Sequence, residues 1–544
     1  WKADGPVACA VRLTDADLCC LARVYVACSM QVAPRFMQKV LGRPAGAHVV
    51  FESGSESDDQ VALPAPMRGS GLATPWQRLR VEARSAFFGS LNEQQEQACR
   101  LFMKADVAGL GVLQLLQGPP GTGKTATVVG LLGALTASLL DGEAVDHPVI
   151  VVTAPTNQAV HNVLDWFLGT DVTGAFQVVF VGVEDKLPDA PQGRLGVRDV
   201  FAHGFLGALV ARIEAKPRDI DHTLDRLRFL HSRARNTFKD LGLPGLFVAL
   251  KKQRCVKVHQ VVVEKLRQAA KDEAYGRLGA LHDELLNSAT IVFATLSVLG
   301  RQIVRNCLSW RAIEALICDE AAQATEADTT MALALEPKRM LLVGDPRQLS
   351  ASVCACRAAE QAGYTRSMME RLMGSGYEFS MLTIQYRMHP AIREYPSSRY
   401  YQGLLQDGLE FEGCPVEGGV GHKLVHDAYL VIDVHGAERR GRGDSWENRT
   451  EADALTAYLR WLPREDAAAA VVITFYAGQC KLLRDKLRPL GASVHTVDSF
   501  QGAEGSMVLL SLVRANKAGR VGFLGDKRLN VALTRAKQRL RVFA

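Results

Sequence analysis

Among the 12 cysteines of this 544-residue sequence there is no CxxC pair; the closest are Cys19-Cys20 and Cys354-Ala355-Cys356. No cysteine–histidine group has zinc-site spacing, which excludes a zinc ribbon or a disulfide-framed secreted domain. Reduced thiols in the cytoplasm or nucleus fit instead. No uninterrupted apolar run reaches the roughly 18 residues that a membrane-spanning helix needs, so no membrane partner is expected. The stretch 7–30 is apolar in parts, but Arg12, Asp15, Asp17 and Arg23 interrupt it and argue against a signal-peptide core. Charge of either sign is scarce in excess: 64 Lys and Arg face 58 Asp and Glu, a net +6. Over this length that balance does not by itself mark a nucleic-acid binder, and only the local distribution of charge can.

What is present is ordinary globular material. The hydrophobic share of 48% and the charged share of 22% lie near the soluble averages of about 45–50% and 25%, which excludes a disordered, collagen-like or coiled-coil chain. At roughly 100–200 residues per domain the length accommodates about three or four. The sequence opens on Trp1 rather than Met and stops at 540–544 inside an apolar, strand-like run, so it reads as a fragment truncated at its C-terminus.

Residues 1–43 mix short apolar runs with charges and suit a small accessory fold. Residues 44–75, with the acidic, serine-rich 52–59 and then Pro64, Pro66 and Gly69-Ser70-Gly71, read as a linker. From Gly111 the rhythm changes. Short apolar runs at 112–116, 149–153, 290–294, 315–318 and 340–343 each end in a polar or glycine-rich turn, with helical patterns between several of them. Buried strands alternating with helices predict an α/β domain with a parallel sheet. The pattern restarts at 429–432, 471–475, 507–512 and 540–543, which predicts a second such domain. The expected division is 1–84 for the accessory region and linker, 85–376 for the first domain and 377–544 for the second.

The stretch of about 185–285 interrupts the first domain and reads as helical. Ile220, Leu224, Leu227, Ala234 and Phe238 recur at helical steps and make one apolar face. Between Lys216 and Lys271 there are 14 Lys and Arg against 5 Asp and Glu. Such a segment is either a solvated helical face or a contact for a phosphate backbone.

The chemistry concentrates in a few motifs. Gly118-Pro119-Pro120-Gly121-Thr122-Gly123-Lys124-Thr125 follows a strand-like run and precedes the apolar helical run 126–140. That context suits a phosphate-binding loop: glycines let backbone N–H groups converge on phosphate oxygens, and the helix N-terminus adds its dipole. Lys124 would reach the β- and γ-phosphates, and the Thr125 hydroxyl would bind Mg²⁺. Asp319-Glu320 ends the apolar run 315–318. With a phosphate loop upstream, Asp319 would hold Mg²⁺ through its water shell, and Glu320 would orient and deprotonate the attacking water. Further on come Gly344-Asp345-Pro346-Arg347-Gln348-Leu349, Gln385-Tyr386-Arg387-Met388-His389-Pro390 and Arg528-Leu529-Asn530-Val531-Ala532-Leu533-Thr534-Arg535-Ala536. Phosphoryl transfer builds negative charge that an arginine from a facing element stabilises, and Arg387 and Arg535 are the candidates.

In this order these segments resemble the superfamily-1 class B helicases of the up-frameshift group, which includes the nonsense-mediated-decay helicase, senataxin and the immunoglobulin mu-binding helicase. The likeness runs from about Leu91 to Ala544. It also takes in Leu91-Asn92-x-x-Gln95, Ala154-Pro155-Thr156-Asn157-Gln158-Ala159-Val160, Asn448-Arg449-Thr450-Glu451-Ala452 and Val497-Asp498-Ser499-Phe500-Gln501-Gly502-Ala503-Glu504. The resemblance implies two tandem RecA-like domains, the first with a helical insertion, with ATP between them. It implies single-stranded nucleic acid across one face, RNA favoured and DNA the alternative, and movement in the five-prime to three-prime direction. It implies roles for single residues too. Gln95 would read the adenine edge; Gly118, Gly121, Thr122, Gly123, Lys124 and Thr125 would cradle the phosphates. Gln348 would sense the γ-phosphate, Tyr386 would pack near the nucleotide and Glu504 would reach the ribose. Arg387 and Arg535 would bridge the domains, and Pro155, Thr156, Asn157, Val497, Asp498 and Ser499 would lie along the nucleic-acid backbone. The insertion falls where the family places an accessory element over the nucleic-acid channel. Ala351 stands where the family usually has proline. An ATPase that acts as a clamp or switch without strand separation is the alternative activity, and protein partners are unknown.

Overall fold

The computed structural model describes residues 49–50, 86–104, 111–140, 148–170, 177–182, 187–188, 195–351, 357–409, 427–441 and 445–544. The expected accessory fold of 1–43, the linker apart from residues 49–50, and the cysteines at 19, 20, 354 and 356 lie outside the described residues.

The first sheet contains β1 (Val49–Val50), β2 (Val112–Gln117), β3 (Val149–Ala154), β4 (Val178–Val181), β5 (Ile291–Thr295), β6 (Ile313–Cys318), β7 (Arg339–Gly344) and β8 (Ser380–Met381). They lie in the order β1-β8-β2-β7-β6-β3-β5-β4, and every described pairing is parallel. The strands read as continuous apolar runs because both faces are covered. Val149 and Val151 enter one core, while Ile150 and Val152 enter the other. Helices Glu93–Lys104, Lys124–Leu140 and Asn157–Leu168 cover the second of these faces. The insertion covers the first, burying Leu206, Leu209, Leu227 and Leu266 in the same core as the sheet. It is therefore packed onto the first domain rather than standing off it. The sheet extends to Met381, a few residues past the expected boundary at 376.

The insertion is helical as expected, with helices Phe205–Glu214, Ile220–Arg233, Arg235–Asp240, Leu243–Gln253, Val256–Ala274 and Gly279–Ser288 between β4 and β5. The single apolar face from Ile220 to Phe238 is divided, however. The chain breaks helix at Ala234 (φ −141°, ψ 71°), and Phe238 sits on the next helix. Glu284 explains the break: its carboxylate accepts the N–H groups of Asn236 and Thr237 at 2.5 and 3.0 Å. It thereby satisfies donors that the start of a new helix leaves orphaned. Ala234 and Phe238 still enter the same core as Leu224 and Leu227.

Past the first sheet, β9 (Ile384–Gln385) pairs with β10 (Gln406–Asp407). The second sheet begins with β11 (Tyr429–Ile432). After the antiparallel pair β12 (Arg439–Arg440) and β13 (Trp446–Glu447), it continues with β14 (Val471–Thr474), β15 (Ser493–Thr496), β16 (Gly505–Ser511) and β17 (Ala536–Phe543). Its order is β11-β17-β16-β14-β15, again parallel throughout. The run at 540–543 is thus an interior strand, which is why it is so apolar. Both units are RecA-like α/β domains, parallel sheets flanked by helices. β14 falls on the expected run at 471–475, whereas β15 lies where no apolar run stands out, and Ser493–Thr496 is half-exposed. Among the described residues no helix is long and apolar enough to cross a membrane.

Parallel strands deliver their carboxyl ends to one edge of a sheet, where ligands of such folds bind. On the first sheet that edge carries Gly118 after β2, Pro155 after β3, Asp319 after β6 and Asp345 after β7. On the second it carries Val497 after β15 and Leu512 after β16.

Candidate functional site

The phosphate loop is fastened at its start by the Gly118 N–H, which donates to the Gly344 carbonyl of β7 at 3.0 Å. Gly121 and Gly123 take φ values of +77° and +78°, open to glycine without steric cost. A Cβ on Gly121 would lie 2.6 Å from Cβ of Arg387, and one on Gly123 would lie 2.3 Å from Nε2 of Gln95. The loop is therefore wedged between a glutamine upstream and an arginine from far downstream. Gln95 Nε2 donates to the Thr122 carbonyl at 2.9 Å, and its Oε1 accepts the Asn92 N–H at 3.0 Å. The Tyr386 N–H donates to the Gly121 carbonyl at 2.8 Å, and Asn92 Nδ2 donates to the Tyr386 hydroxyl at 2.8 Å. Lys124 folds back so that Nζ donates to the Gly118 carbonyl at 2.7 Å. Thr125 follows it in the first turn of helix Lys124–Leu140. Converging N–H groups, a helix N-terminus and an ammonium make a site for a phosphate chain.

Asp319 and Glu320 stand beside it. Asp319 is buried, its N–H donating to the Thr153 carbonyl at 2.9 Å. Its Oδ1 accepts the Glu320 N–H at 2.9 Å. Glu320 takes a left-handed backbone (φ +50°, ψ 35°), a conformation that costs a non-glycine residue energy and clusters at functional sites. Gln323 Nε2 steadies its carboxylate at 2.7 Å. Burial first, and the neighbouring Glu320 charge second, push the Asp319 carboxyl up to about 7, with Lys124 working the other way. A buried carboxyl beside a second, half-buried one suits a divalent cation. The hard oxygens of Asp319 and Thr125 match Mg²⁺, which takes one or two protein ligands and fills its sphere with water and phosphate.

From here a chain of buried hydrogen bonds crosses into the second domain. Asp345 is almost fully buried. Its Oδ1 accepts Gln117 Nε2 at 3.2 Å and the Arg347 N–H at 3.1 Å; its Oδ2 accepts Gln348 Nε2 at 2.9 Å and the Tyr401 hydroxyl at 2.7 Å. The same hydroxyl accepts Asn530 Nδ2 at 2.7 Å, and Asn530 also donates to the Arg347 carbonyl at 2.9 Å. Gln348 Oε1 in turn accepts Arg535 Nη2 at 3.2 Å. Arg535 is buried and further held by the Val531 carbonyl at 2.9 Å. Burial, then the nearby Arg387 charge, pull its pKa down, while Glu320 favours the cation; a guanidinium still carries its charge at neutral pH. Arg387 Nε donates to Glu504 Oε2 at 2.6 Å, and Lys537 also pairs with Glu504. Burial alone would raise the Glu504 pKa; the Lys537 and Arg387 partners outweigh it and hold the carboxyl below its ordinary range.

The structure thus brings Gln95, Gly118, Gly121, Thr122, Gly123, Lys124, Tyr386 and Arg387 to one loop, and links Gln348 to Arg535 across the cleft. Among the residues expected along nucleic acid, Thr156 is exposed at the start of helix Asn157–Leu168, its hydroxyl accepting the Ala159 N–H at 3.2 Å. Pro155 and Asn157 flank it, half-buried. Asp498 and Ser499 are exposed in the turn after β15. Val497 differs: its side chain is buried in the second-domain core, because an apolar residue directly after a strand completes that core. Only its main chain reaches the edge. The basic insertion divides in the same way. Lys251, Lys252 and Lys257 are exposed, whereas Arg233 is buried, donates to the Val178 carbonyl at 2.7 Å and lies over the Phe229 ring at 5.0 Å.

Sequence reasoning missed Tyr401 altogether. It caps the helix Pro390–Tyr400 in a tyrosine pair that carries no local signal. Asn530 and Asp345 lay inside quoted motifs without a role. Asn448 and Glu451 were likewise quoted without one. In the structure they hold the strand exit at Val513: Glu451 Oε2 accepts its N–H at 2.9 Å, and Asn448 Nδ2 donates to its carbonyl at 3.4 Å.

Comparison with known proteins follows the same two-part division. Two family profiles, each described as an AAA domain, match residues 90–355 and 364–544. The probable helicase MAGATAMA 3 of Arabidopsis thaliana is 31% identical over 78% of this chain and 54% of its own length. Helicase sen1 of Schizosaccharomyces pombe is 30% identical over 78% of this chain and 27% of its own. The ATP-dependent helicase upf1 of the same yeast is 29% identical over 82% and 44%. The chain spans about half or less of the length of these curated relatives. With both of its RecA-like domains matched by these profiles and relatives, the chain belongs to the up-frameshift-like group of superfamily-1 helicases.

Proposed function

We propose that this chain is an ATP-dependent helicase or translocase that hydrolyses ATP to move five-prime to three-prime along single-stranded nucleic acid, RNA favoured, unwinding duplexes or remodelling ribonucleoprotein. The observation that carries the reading is the hydrogen-bonded path from Gln117 and Asp345 through Gln348 to Arg535, with Arg387 packed against Gly121. A phosphate site in one domain is thereby wired to two cations of the other.

In this reading the loop 118–125 and Lys124 hold the triphosphate, and Gln95 and Tyr386 border the base. Mg²⁺, held by Thr125 and Asp319, neutralises charge on the phosphates when bound. Glu320 takes the proton of the attacking water, and Arg535 and Arg387 meet the charge that develops on the transferred group. ATP draws the domains together and hydrolysis releases them, so a strand gripped by each in turn moves stepwise. The grip uses Pro155, Thr156 and Asn157 on one side and Asp498, Ser499 and the Val497 main chain on the other. Backbone contacts of this kind carry no sequence information.

The test is ATP turnover with and without matched single-stranded RNA and DNA, together with displacement of a labelled strand from a tailed duplex. Wild type should be stimulated and should displace the strand. Glu320→Gln should bind ATP but turn over at least about a hundredfold more slowly, the range typical of a lost general base. Normal turnover by Glu320→Gln would remove Glu320 from its role, and stimulated ATPase without displacement would favour a clamp.

A further inference from the structure

The segment between β16 and helix Asp526–Leu533 is built to hold an aromatic ring in solvent. Val513 leaves the strand with φ +72°, which a β-branched residue adopts only under constraint; Glu451 and Asn448 provide it. Beyond Val513, Arg514 is fixed by Glu438 at 2.8 and 3.2 Å and lies over the Trp446 ring at 4.6 Å. Asn516 closes the loop on both main-chain groups of Arg520, each at 2.9 Å. The Tyr476 hydroxyl donates to the Val521 carbonyl at 3.4 Å and accepts the Phe523 N–H at 3.1 Å. Gly522, at φ +58°, passes so close that a Cβ there would lie 2.5 Å from Arg514 Nη1 and 2.6 Å from the Tyr476 hydroxyl. No other residue type fits without displacing one of the two.

Within this hydrogen-bonded loop Phe523 is 57% exposed, although its neighbour Leu524 packs into the second-domain core. The Tyr476 ring stands perpendicular to it, 6.0 Å between centroids at 84°, and more than half of Phe523 still faces solvent. The Arg528 guanidinium lies over one face of the ring, 5.3 Å from its centroid, and pairs with Asp498 at 3.2 Å, so a base would stack on the other face. The ring therefore stands beside the Asp498–Ser499 turn, on the carboxyl-end edge of the second sheet. Lys517 and Arg520 are exposed on the same loop. A fixed, solvent-facing ring rimmed by cations is the arrangement by which single strands are held, since every base has a face to stack and every nucleotide a phosphate.

We propose that Phe523 is a stacking platform for one base of the bound single strand, with Arg528 and the loop cations at the flanking phosphates. The inference rests on the function proposed above and adds a residue outside the family motifs quoted from the sequence. The test is binding of a fluorescein-labelled single-stranded RNA of mixed sequence, titrated at several salt concentrations. Phe523→Ala should weaken binding about 5- to 140-fold, the range for one base–aromatic stack. The slope of log affinity against log salt should stay the same, because no charge is removed. Phe523→Trp should bind as wild type does. Phe523→Leu, apolar but without a π-face, should lose most of what Phe523→Ala loses. Wild-type affinity in Phe523→Ala or Phe523→Leu, or a flattened salt slope, would overturn the platform alone. A thermal midpoint of Phe523→Ala well below wild type would show a packing role and overturn it too. Failure of the wild-type protein to bind any single strand would instead sink the functional reading, and this inference with it.

Discussion

Replacing Tyr401 by Phe probes the wire between the domains, because it removes one oxygen and leaves a ring that is 2% exposed. That oxygen makes two bonds of 2.7 Å, donating to the Asp345 carboxylate and accepting from Asn530. A bond to a charged group contributes about 1.5–3 kcal/mol and a neutral one about 0.5–1.5. The link is therefore worth about 2–4.5 kcal/mol. Asp345 keeps Gln348 and Gln117, so the carboxylate is not orphaned; what is lost is its tie to the second domain. If about a third to a half of that energy is felt only when the cleft is set for hydrolysis, kcat falls roughly tenfold. KM for ATP should change less than about threefold, since no atom of the phosphate loop is touched. Steady-state ATPase at saturating single-stranded RNA measures both. Combining Tyr401→Phe with Asn530→Ala should give a coupling of at least about 0.5 kcal/mol in the double-mutant cycle, as groups in one network do not act independently. An unchanged kcat beside a lowered unfolding free energy, or strict additivity, would reduce Tyr401 to a packing residue and refute the wire.

Two further outcomes are expected. Arg535→Ala should lower kcat by about 10³-fold or more with little change in ATP affinity, because the guanidinium acts on charge that develops during transfer; a defect confined to nucleotide affinity in equilibrium titrations would assign it a ground-state role. Glu451→Gln should change how stability depends on pH. Burial, outweighing hydrogen bonds from the 511–513 region, pushes the Glu451 carboxyl from an ordinary 4.5 up to about 7. The folded state thus keeps a proton that the unfolded chain loses, and wild type forfeits stability as pH rises through about 4.5 to 7. Relative to wild type, Glu451→Gln should gain about 1–3 kcal/mol between pH 5 and pH 8 in chemical denaturation. A difference that does not vary with pH would show that Glu451 is not the titrating group.

The parts of this protein that depend on neighbours in sequence were legible before folding. A phosphate loop is a glycine spacing between a strand and a helix, and Gly118–Thr125 stand as that spacing requires. Doubly covered parallel strands must be apolar throughout, so β2, β3, β6 and β7 announced themselves, as did the acidic pair at the end of β6. What depends on distant pairings was not. Tyr401 acquires its role from Asp345, 56 positions away, and Asn530 from Arg347, 183 positions away. No local pattern encodes such meetings. The same holds for the exceptions to charge and polarity rules. Arg233 lies in a basic stretch, yet packing turns it inward to the Val178 carbonyl. Val497 lies in a nucleic-acid motif, yet its side chain completes a core. Phe523, the most apolar kind of residue, is turned outward because Gly522, Tyr476 and Asn516 hold its backbone where the ring has nowhere to bury. Sequence sets which chemistry each short segment can perform, since that follows from residue type and spacing. The tertiary fold alone decides which segments meet, because burial and hydrogen bonding are settled by whatever the chain brings alongside.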